Sequence, residues 1–364
     1  MTATNRFFID FHVIQTMPPS CVNRDDTGSP KTARYGGVQR ARVSSQSWKH
    51  AMRLMFREYF DEADLGVRTK KIVDMVAATI MSLDEDKSDE EAKKLAEKVI
   101  NAAKVSTKDA EAKALFFMSV RQAENLAKLI LDNETPSTKE AQEALKRGFG
   151  VDIALFGRMV ADDPALNTDA AAQVAHSIST HRVDNEFDYY TAVDDRAPED
   201  NVGAGMIGTI EYNSSTLYRY ATVAIHELTK QIDDSSIVAK VIQEFARAFI
   251  TSMPTGKQNT FANRTLPDAV LVSIRIDQPI NLVGAFEKPV KSTGEGGFSR
   301  ASCAALVEHS TTVYKDFAGD PERAFVVGQE LVDLGELVSL PELLELLYAE
   351  TLHRLDTAAE LSEA

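Results

Sequence analysis

Eight basic side chains lie close together between residues 24 and 57, and together they could bind a polyanion. Only Asp25 and Asp26 oppose them, so this stretch carries a net charge of +6, within a 364-residue chain that carries −15. The remaining residues therefore carry −21. Such a basic island is either a solvated surface paired with acidic neighbours or a site for a polyanion, and charge alone leaves both interpretations open. The eight residues are Arg24, Lys31, Arg34, Arg40, Arg42, Lys49, Arg53 and Arg57.

The second half of this stretch is predicted to form a helix over residues 44–60. Ser44 and Ser45 are good N-cap residues, and a long run of helix-forming residues follows them. Large apolar side chains then recur at helical spacing, which predicts one buried face. The residues that make this face are Trp48, Met52, Met55, Phe56 and Tyr59.

The polar side of the predicted helix suits phosphate groups. Lys49, Arg53 and Arg57 recur at i, i+4 and i+8, with Gln46 and His50 in the first turn beside them. The helix N-terminus adds unpaired N–H groups and the positive end of the helix dipole. A row of cations matches the repeated phosphates of a strand better than it matches one small ligand.

Catalytic and metal-binding motifs are absent from the sequence. It contains no nucleophile elbow, zinc-protease motif or dinucleotide-binding glycine motif. Two cysteines, Cys21 and Cys303, make neither a disulfide framework nor a zinc site. Asp25 and Asp26 form the only carboxylate pair inside the basic stretch, where a magnesium-assisted cleavage of a phosphodiester is conceivable. Their pairing with Arg24 or Arg34 is the simpler interpretation.

The elements that must position these residues follow from hydrophobic periodicity. Alternation predicts a strand over residues 6–16, with His12 on its less apolar face in a structural role. A long loop over 17–43 leads into the helix, and 67–147 is a charged helical region with N-caps at Ser88 and Ser137. The later predicted elements are helix 170–182, strands 186–193 and 216–228, helix 235–253, strand 269–277 and helices 298–317 and 341–357.

Without the helical region, the order of elements is β-α-β-β-α-β. This is the order of ferredoxin-like and RRM-like folds, some of which bind single-stranded RNA. The predicted fold class is therefore α+β. Composition is that of a soluble protein, with neither a membrane span nor a signal peptide, which predicts a cytoplasmic location. The acidic total argues against a nucleic-acid-binding surface over the whole protein but permits one basic groove.

Several ordered stretches of the sequence resemble the CasC family, the backbone subunits of type I-E Cascade, a CRISPR surveillance complex. The matching stretches occur in family order and span most of the chain, whereas residues 61–147 and those beyond 300 resemble the family only in length and type. The matching stretches are FIDFHVIQ, PPSCVNRDD, YGGVQRARVSSQSWKHAMR, GVDIALFGRM, AHSISTHRVDNEFDYYTAVDD, LYRYATV, GKQNTFA and GAFEKPVK.

The resemblance implies a modified RRM-like palm, helical fingers and a projecting β-hairpin thumb. The palm comprises residues 1–60 and 182–364, the fingers residues 61–181, and the thumb residues 194–215. Several copies are expected to polymerise along one CRISPR RNA, with other Cascade subunits, and to present it for pairing with target DNA. The resemblance implies no enzymatic activity, no cofactor, no metal and no membrane partner.

The resemblance also assigns individual residues to RNA binding. Family contacts carry over to the basic stretch, although His50 stands where a relative can have a cation. Three further residues resemble those that wedge at the kink of the RNA. These expected contacts are Asn23, Arg24, Lys31, Ser44, Gln46, Lys49, His50 and Arg53, with Met159, Tyr190 and Thr191 as the wedge.

Two alternatives remain open at this point. The first is a metal-dependent RNA endonuclease acting through Asp25 and Asp26, because backbone subunits of the related type III complexes cleave RNA through an Asp in the corresponding loop. The second is a monomeric RRM-like adaptor.

Overall fold

A computed structural model describes residues 6–160, 162–192, 206–292 and 296–363, and it has a mixed α+β fold. The strands are β1 Phe8–Ser20, β2 Thr32–Tyr35, β3 Val38–Val43, β4 Gly66–Thr69, β5 Thr107–Lys108, β6 Glu111–Ala112, β7 Phe116–Ser119, β8 Ala172–Val174, β9 Ser177–Ser179, β10 Glu186–Ala192, β11 Met206–Ala224, β12 Ala269–Arg275, β13 Arg323–Val327 and β14 Glu336–Leu337. The helices are α1 Ser45–Phe56, α2 Ile72–Leu83, α3 Asp89–Ala102, α4 Val120–Asp132, α5 Thr138–Leu145, α6 Val151–Phe156, α7 Ile225–Leu228, α8 Ser235–Thr251, α9 Gln258–Phe261, α10 Ser299–Val313 and α11 Leu340–Glu363. Within these ranges, no helix has the length and apolar character needed to cross a membrane.

The main sheet is built around β1 and is mostly antiparallel. Its strands run in the order β14-β13-β12-β1-β11-β9-β3-β2, and β8 and β10 also pair with β11. Phe8 of β1 lies opposite Ala224 of β11 on one side and Arg275 of β12 on the other. Among the strands named above, β13 and β14 are the only pair that runs in parallel. The predicted α+β class is therefore correct.

Both faces of β1 are covered, which explains its nearly complete burial. Phe11 packs on Phe245 and Phe249 of α8, with ring centroids 5.4 and 6.0 Å apart, in the core that also receives α1. The opposite face lies under α10 and the segment 282–286. His12 points to this side, fully buried, with its Nδ1 atom 2.8 Å from the Tyr218 hydroxyl. The predicted structural role of His12 is therefore confirmed.

A separate helical region lies between α1 and β8. Helices α2, α3, α4 and α5 enclose a hydrophobic core of their own. Ser88 and Ser137 cap α3 and α5, and Glu91 and Glu140 complete their capping boxes as the sequence predicts. Two-stranded sheets, β4 with β7 and β5 with β6, complete this region.

The structure corrects two predicted elements. Residues 17–43 are not one long loop, because β1 extends to Ser20 and β2 and β3 form a hairpin. Gly36 and Gly37 supply the positive φ angles, 57° and 78°, that a two-residue hairpin turn requires. Residues 170–182 are not a helix, because β8 and β9 pair there with β11 and tertiary pairing outweighs the helix propensity of the alanines.

Candidate nucleic-acid interface

The first part of the site is the loop Asn23–Lys31, which closes on itself. The Lys31 N–H donates to the carbonyl oxygen of Asn23 at 2.8 Å. The Asp25 carboxylate accepts from the Thr27 N–H at 2.9 Å, the Thr27 hydroxyl at 2.7 Å and the Ser29 N–H at 3.0 Å. These hydrogen bonds, led by the Thr27 hydroxyl, lower the pKa of the Asp25 carboxyl.

The prediction that Asp25 or Asp26 pairs with Arg24 or Arg34 is wrong, because within the described residues neither acid forms an ion pair with either arginine. Arg34 instead donates to the carbonyl oxygen of Gly37 at 3.3 Å. Asp26 is exposed and, among the described residues, has no ion pair. A short side chain followed by Thr and Ser hydrogen-bonds most easily to its own backbone, which explains this outcome.

The second part is the N-terminus of α1, which is tied to the same loop. The Ser44 hydroxyl accepts from the Gln46 N–H at 3.3 Å, so Ser44 is the N-cap. The Ser44 N–H donates to the Asn23 side-chain oxygen at 2.9 Å. No acidic residue occupies the first turn. The free N–H groups of this turn therefore have no carboxylate of α1 beside them.

The third part is the segment 254–257, which sequence reasoning did not assign to the site. A Cβ atom added to Gly256 would lie 2.0 Å from the Val22 carbonyl oxygen, so the two backbones are in close contact. Burial raises the pKa of the Cys21 thiol, whereas the charges of Arg24 and Lys257 lower it and those of Glu211 and Asp25 raise it, so cations of both segments act on this thiol. In the sequence, this segment was marked by its glycine-containing stretch GKQ, which belongs to the GKQNTFA stretch given above. We call Asn23–Lys31, the first turn of α1 and 254–257 the loop region.

The loop region encloses an open cavity of about 520 Å³. Its wall combines the loop, from which Arg24, Asp25 and Asp26 all line the cavity, with the start of α1 and the 254–256 segment. The polar residues predicted to bind RNA that line it are Asn23, Arg24 and His50. Gln46 is exposed nearby in the first turn of α1, and Lys31 is half-buried on the loop. The structure thus brings most of the expected backbone contacts to one end of α1.

Lys49 and Arg53 belong to a different group, at the contact between α1 and the helical region. The Arg53 Nε atom lies 2.8 Å from Asp152 Oδ2, and the Gly66 N–H donates to Asp152 Oδ1 at 2.7 Å. The Arg53 guanidinium also donates to the Gly66 carbonyl oxygen at 3.2 Å. Burial raises the pKa of the Asp152 carboxyl, while Arg53 and the Gly66 N–H act against that change.

Arg68 of β4 completes this group, and sequence reasoning missed it. The Cζ atoms of Arg53 and Arg68 lie 4.4 and 4.9 Å from the centroid of the Phe117 ring. Burial, and then the charge of Arg68, lowers the pKa of the Lys49 ammonium. Arg68 lies within a highly charged segment, and no sequence pattern distinguishes it there. We call Lys49, Arg53, Arg68, Phe117 and Asp152 the junction cluster.

Two other cations of the basic stretch serve the fold. Arg40 is fully buried and donates to the carbonyl oxygens of Ser179 and Phe286, each at 2.8 Å. Arg42 donates to the Thr32 carbonyl oxygen at 3.1 Å, and its guanidinium lies 3.1 Å from His176. The basic stretch is therefore divided between structural cations and cations that face solvent.

The predicted wedge residues lie on two separate elements. Met159 is 88% exposed and follows Arg158, whose buried guanidinium donates to the Phe117 and Leu166 carbonyl oxygens at 3.1 and 3.2 Å. Burial lowers the pKa of Arg158 to about 10. Tyr190 and Thr191 lie on β10, which is exposed along its length and pairs only with β11.

The first part of β11, residues 206–212, pairs with β10, and β11 pairs with β1 only from Asn213 onward. The β10–β11 hairpin therefore projects from the main sheet. Its paired part covers Glu186–Ala192 and the first residues of β11, with Tyr190 opposite Gly208. Of the predicted thumb hairpin 194–215, residues 194–205 lie outside the described residues, and 206–215 belong to β11.

No group of His, Cys, Asp and Glu within the described ranges has the arrangement of a metal site. His176 contacts Arg42, as described above. His181 contacts the Arg182 carbonyl oxygen at 2.7 Å through Nδ1 and accepts the Thr216 N–H at 3.0 Å through Nε2.

Two solved structures share this fold at full length. One is a chain of a "CRISPR RNA-guided surveillance complex, pre-nicking", with a TM-score of 0.82 and 32% sequence identity over 94% of this chain and 100% of that one. The other, from a "CRISPR RNA-guided surveillance complex", has a TM-score of 0.72 and 29% identity over 94% and 99%. The fold is therefore that of subunits of CRISPR RNA-guided surveillance complexes.

The family is shown by the sequence match. Residues 9–345 match the family described as CT1975-like protein, and the chain belongs to it. A search of curated proteins found no match. The predicted relation to CRISPR surveillance complexes is confirmed. The descriptions of the two structures name no complex type, so the predicted type I-E assignment stays a prediction.

Proposed function

We propose that this protein is the CRISPR RNA-binding backbone subunit of a type I-E Cascade complex. Several copies lie along one guide RNA in the cytoplasm, contact other Cascade subunits, and present the guide for pairing with target DNA. The observation that carries this proposal is the 32% identity to a surveillance-complex chain over 94% of this chain and all of that one. A match of this extent includes the basic stretch and not only the common sheet.

The loop region supports the binding of an RNA backbone. Arg24 and Lys31 have no ion pair among the described residues, and Lys257 adds a third cation from another segment. The capped start of α1 supplies N–H donors beside them. Contacts of this kind grip phosphates and leave the bases free, as guide presentation requires.

The architecture supports the palm, fingers and thumb that the resemblance implies. In the sheet, β12 pairs with β1, β1 with β11, and β11 with β10. Helices α1 and α8 pack together in the core on one face of β1. We propose that these elements are the RRM-like palm, that α2–α5 are the fingers, and that the β10–β11 hairpin is the base of the thumb. Met159, Tyr190 and Thr191 are the proposed wedge at the RNA kink.

We propose further that the protein is not an enzyme. In the alternative nuclease, Asp25 and Asp26 would hold a metal ion. Three hydrogen bonds within the loop are accepted by the Asp25 Oδ1 atom, which supports a structural role for that carboxylate. An assay of RNA cleavage with magnesium, using wild type, Asp25→Ala and Asp26→Ala, tests this point. Cleavage that either substitution abolishes would favour the nuclease.

Co-expression with a CRISPR RNA tests the main proposal. We expect the wild-type chain to purify as a multimer with protected RNA, and native mass spectrometry gives the number of copies per RNA. We expect Arg24→Gln with Lys31→Gln to retain less RNA at moderate salt for every guide sequence, because phosphate contacts do not read bases. Arg53 is unsuitable for this test because it pairs with Asp152.

The matched control is Lys94→Gln with Lys98→Gln, which removes two exposed charges from α3. RNA retention should be unchanged in this variant. A monomer without RNA would contradict the proposal, and so would equal loss of RNA in the two double variants.

A further inference from the structure

The junction cluster contains more positive charge than its own acid can neutralise. Asp152 has one carboxylate oxygen on Arg53 and the other on the Gly66 N–H. Lys49 and Arg68 have no ion pair among the described residues. Two cations therefore remain beside a buried carboxylate whose hydrogen bonds are already made.

Phe117 holds Arg68 at this position. Its ring contacts both guanidinium groups, with Cζ distances of 4.4 Å for Arg53 and 4.9 Å for Arg68. Cation–π contacts of this kind are attractive, because the ring face carries partial negative charge. They offset part of the repulsion between the two cations, and Arg68 is consequently held near α1.

The two arginines differ in what surrounds them. Arg53 is mostly buried and has a carboxylate and a carbonyl oxygen as partners, so its charge is used inside the protein. Arg68 is exposed, and burial together with Arg53 lowers its pKa. An anion bound at Arg68 would offset its repulsion from Arg53. Arg53 itself already has Asp152 as its partner.

We propose that Arg68 binds a phosphate of the RNA strand together with Lys49, and that Arg53 is a positioning residue that holds β4 against α1 through Asp152 and Gly66. This inference rests on the proposed RNA binding. The ligand is a phosphodiester oxygen, which the planar guanidinium of Arg68 can contact through two N–H groups.

An extended RNA strand fits the cluster better than an acidic protein segment does. Lys49 immediately precedes His50 on α1, and His50 lines the cavity of the loop region. The two sets of cations are thus joined along α1, and a strand with repeated phosphates could contact both. Docking of an acidic segment from a second copy is the competing occupant.

Salt-dependent binding of the full chain to a fluorescein-labelled single-stranded RNA tests the inference. Each phosphate contact contributes about −0.7 to the slope of log affinity against log salt. We expect Arg68→Gln to reduce the slope by about 0.7 per bound subunit. We expect Arg68→Lys to retain the slope, and Arg53→Gln to retain it while lowering the Tm. The matched control is Arg121→Gln, which removes an exposed arginine of the helical region paired with Asp64.

Arg68→Met preserves an apolar stem over Phe117 and replaces Arg68→Gln if that variant is misfolded by circular dichroism. An unchanged slope in Arg68→Gln or Arg68→Met overturns the inference. If the Arg68 variants change only the self-association of the RNA-free protein, measured by analytical ultracentrifugation, the inference is overturned. Arg68 would then bind an acidic segment of a second copy. A slope reduced equally by Arg53→Gln overturns the positioning role. If wild type binds no RNA, the proposed function itself fails, which is a different result from binding without dependence on Arg68.

Discussion

The loop region and the junction cluster use acidic residues in opposite ways. In the loop region, Asp25 is exposed and takes its hydrogen bonds from Thr27 and Ser29, and it forms no ion pair with a cation among the described residues. In the junction cluster, Asp152 is buried and takes Arg53 as its partner. One acid shapes a binding loop, and the other fixes an internal contact.

This difference shows that a row of cations on a helix is not one functional unit. Lys49 and Arg53 are one turn apart, yet only Arg53 has a carboxylate partner. The protein partner of each cation decides whether its charge supports the fold or remains available. Four predictions test the contrast between the two regions, beginning with the largest expected effect.

Asp152→Ala should cause the largest loss of stability. The substitution leaves Arg53 mostly buried without its carboxylate and removes the acceptor of the Gly66 N–H. Breaking a buried pair in this way should cost about 3 kcal/mol in the free energy of unfolding. Urea denaturation followed by circular dichroism measures it.

The control for this substitution is Asp64→Ala, which removes the partner of Arg121. Both side chains of that pair are substantially exposed, so we expect a loss below about 1 kcal/mol. Similar losses for Asp64→Ala and Asp152→Ala would show that the junction cluster is no more important to the fold than an ordinary surface pair.

Gly256→Ala should disturb the loop region by forcing two backbones apart. A Cβ atom at this position would lie 2.0 Å from the Val22 carbonyl oxygen, where only backbone movement can make room. Overpacking of this kind should cost about 2 kcal/mol of stability. RNA affinity should also fall, because the 254–257 segment would move away from Val22 and from the loop that follows it. Thr311→Ala, at an exposed position of α10 outside the loop region, is the control and should change neither denaturation nor binding.

Asn23→Ala should cost about 1 kcal/mol, because it leaves the Ser44 N–H without its acceptor. Asn23→Asp separates two effects at the same position. It keeps the acceptor, so stability should be retained, but its negative charge should weaken RNA binding. An Asn23→Asp variant that binds RNA as well as wild type would place the RNA away from the loop region.

The sequence was sufficient to predict the elements whose residues interact locally. The period of the apolar residues predicted α1 and α8, and Ser88 and Ser137 marked helix starts correctly. Residues 170–182 were predicted wrongly, because pairing of β8 and β9 with β11 depends on residues more than 35 positions away.

The same limit applied to the site. The basic stretch was visible in the sequence as an excess of positive charge. However, Asp152, the ion-pair partner of Arg53, lies 99 residues away, and Arg68, the like charge that acts on Lys49, lies on β4. The local sequence therefore showed where basic residues are concentrated, but it did not show which of them form ion pairs within the protein. Lys257 and Arg68 were missed for this reason, since only the folded chain brings their segments to the site.

The smallest expected effect is a difference in the order in which Asp25 and Asp152 take up protons. Hydrogen bonds from Thr27 and Ser29 hold the pKa of Asp25 below its ordinary value of 3.8. Its contribution to stability is therefore present above pH 3.8 and is lost as the pH falls through its folded pKa. Burial holds the pKa of Asp152 above 3.8. Its ionisation therefore opposes folding as the pH rises through the folded pKa.

Acidification from neutral pH should consequently protonate Asp152 before Asp25, and carbon-detected NMR of the two carboxyl groups measures the order. Thr27→Val should raise the pKa of Asp25 alone, since it removes the hydroxyl donor. Arg53→Gln should raise the pKa of Asp152 alone, since it removes the neighbouring positive charge. If Asp152 instead titrates below Asp25, attraction to Arg53 outweighs burial at the junction cluster. The cluster would then gain stability from its ion pair at every pH above that point, and Arg53 would be held more firmly in its positioning role.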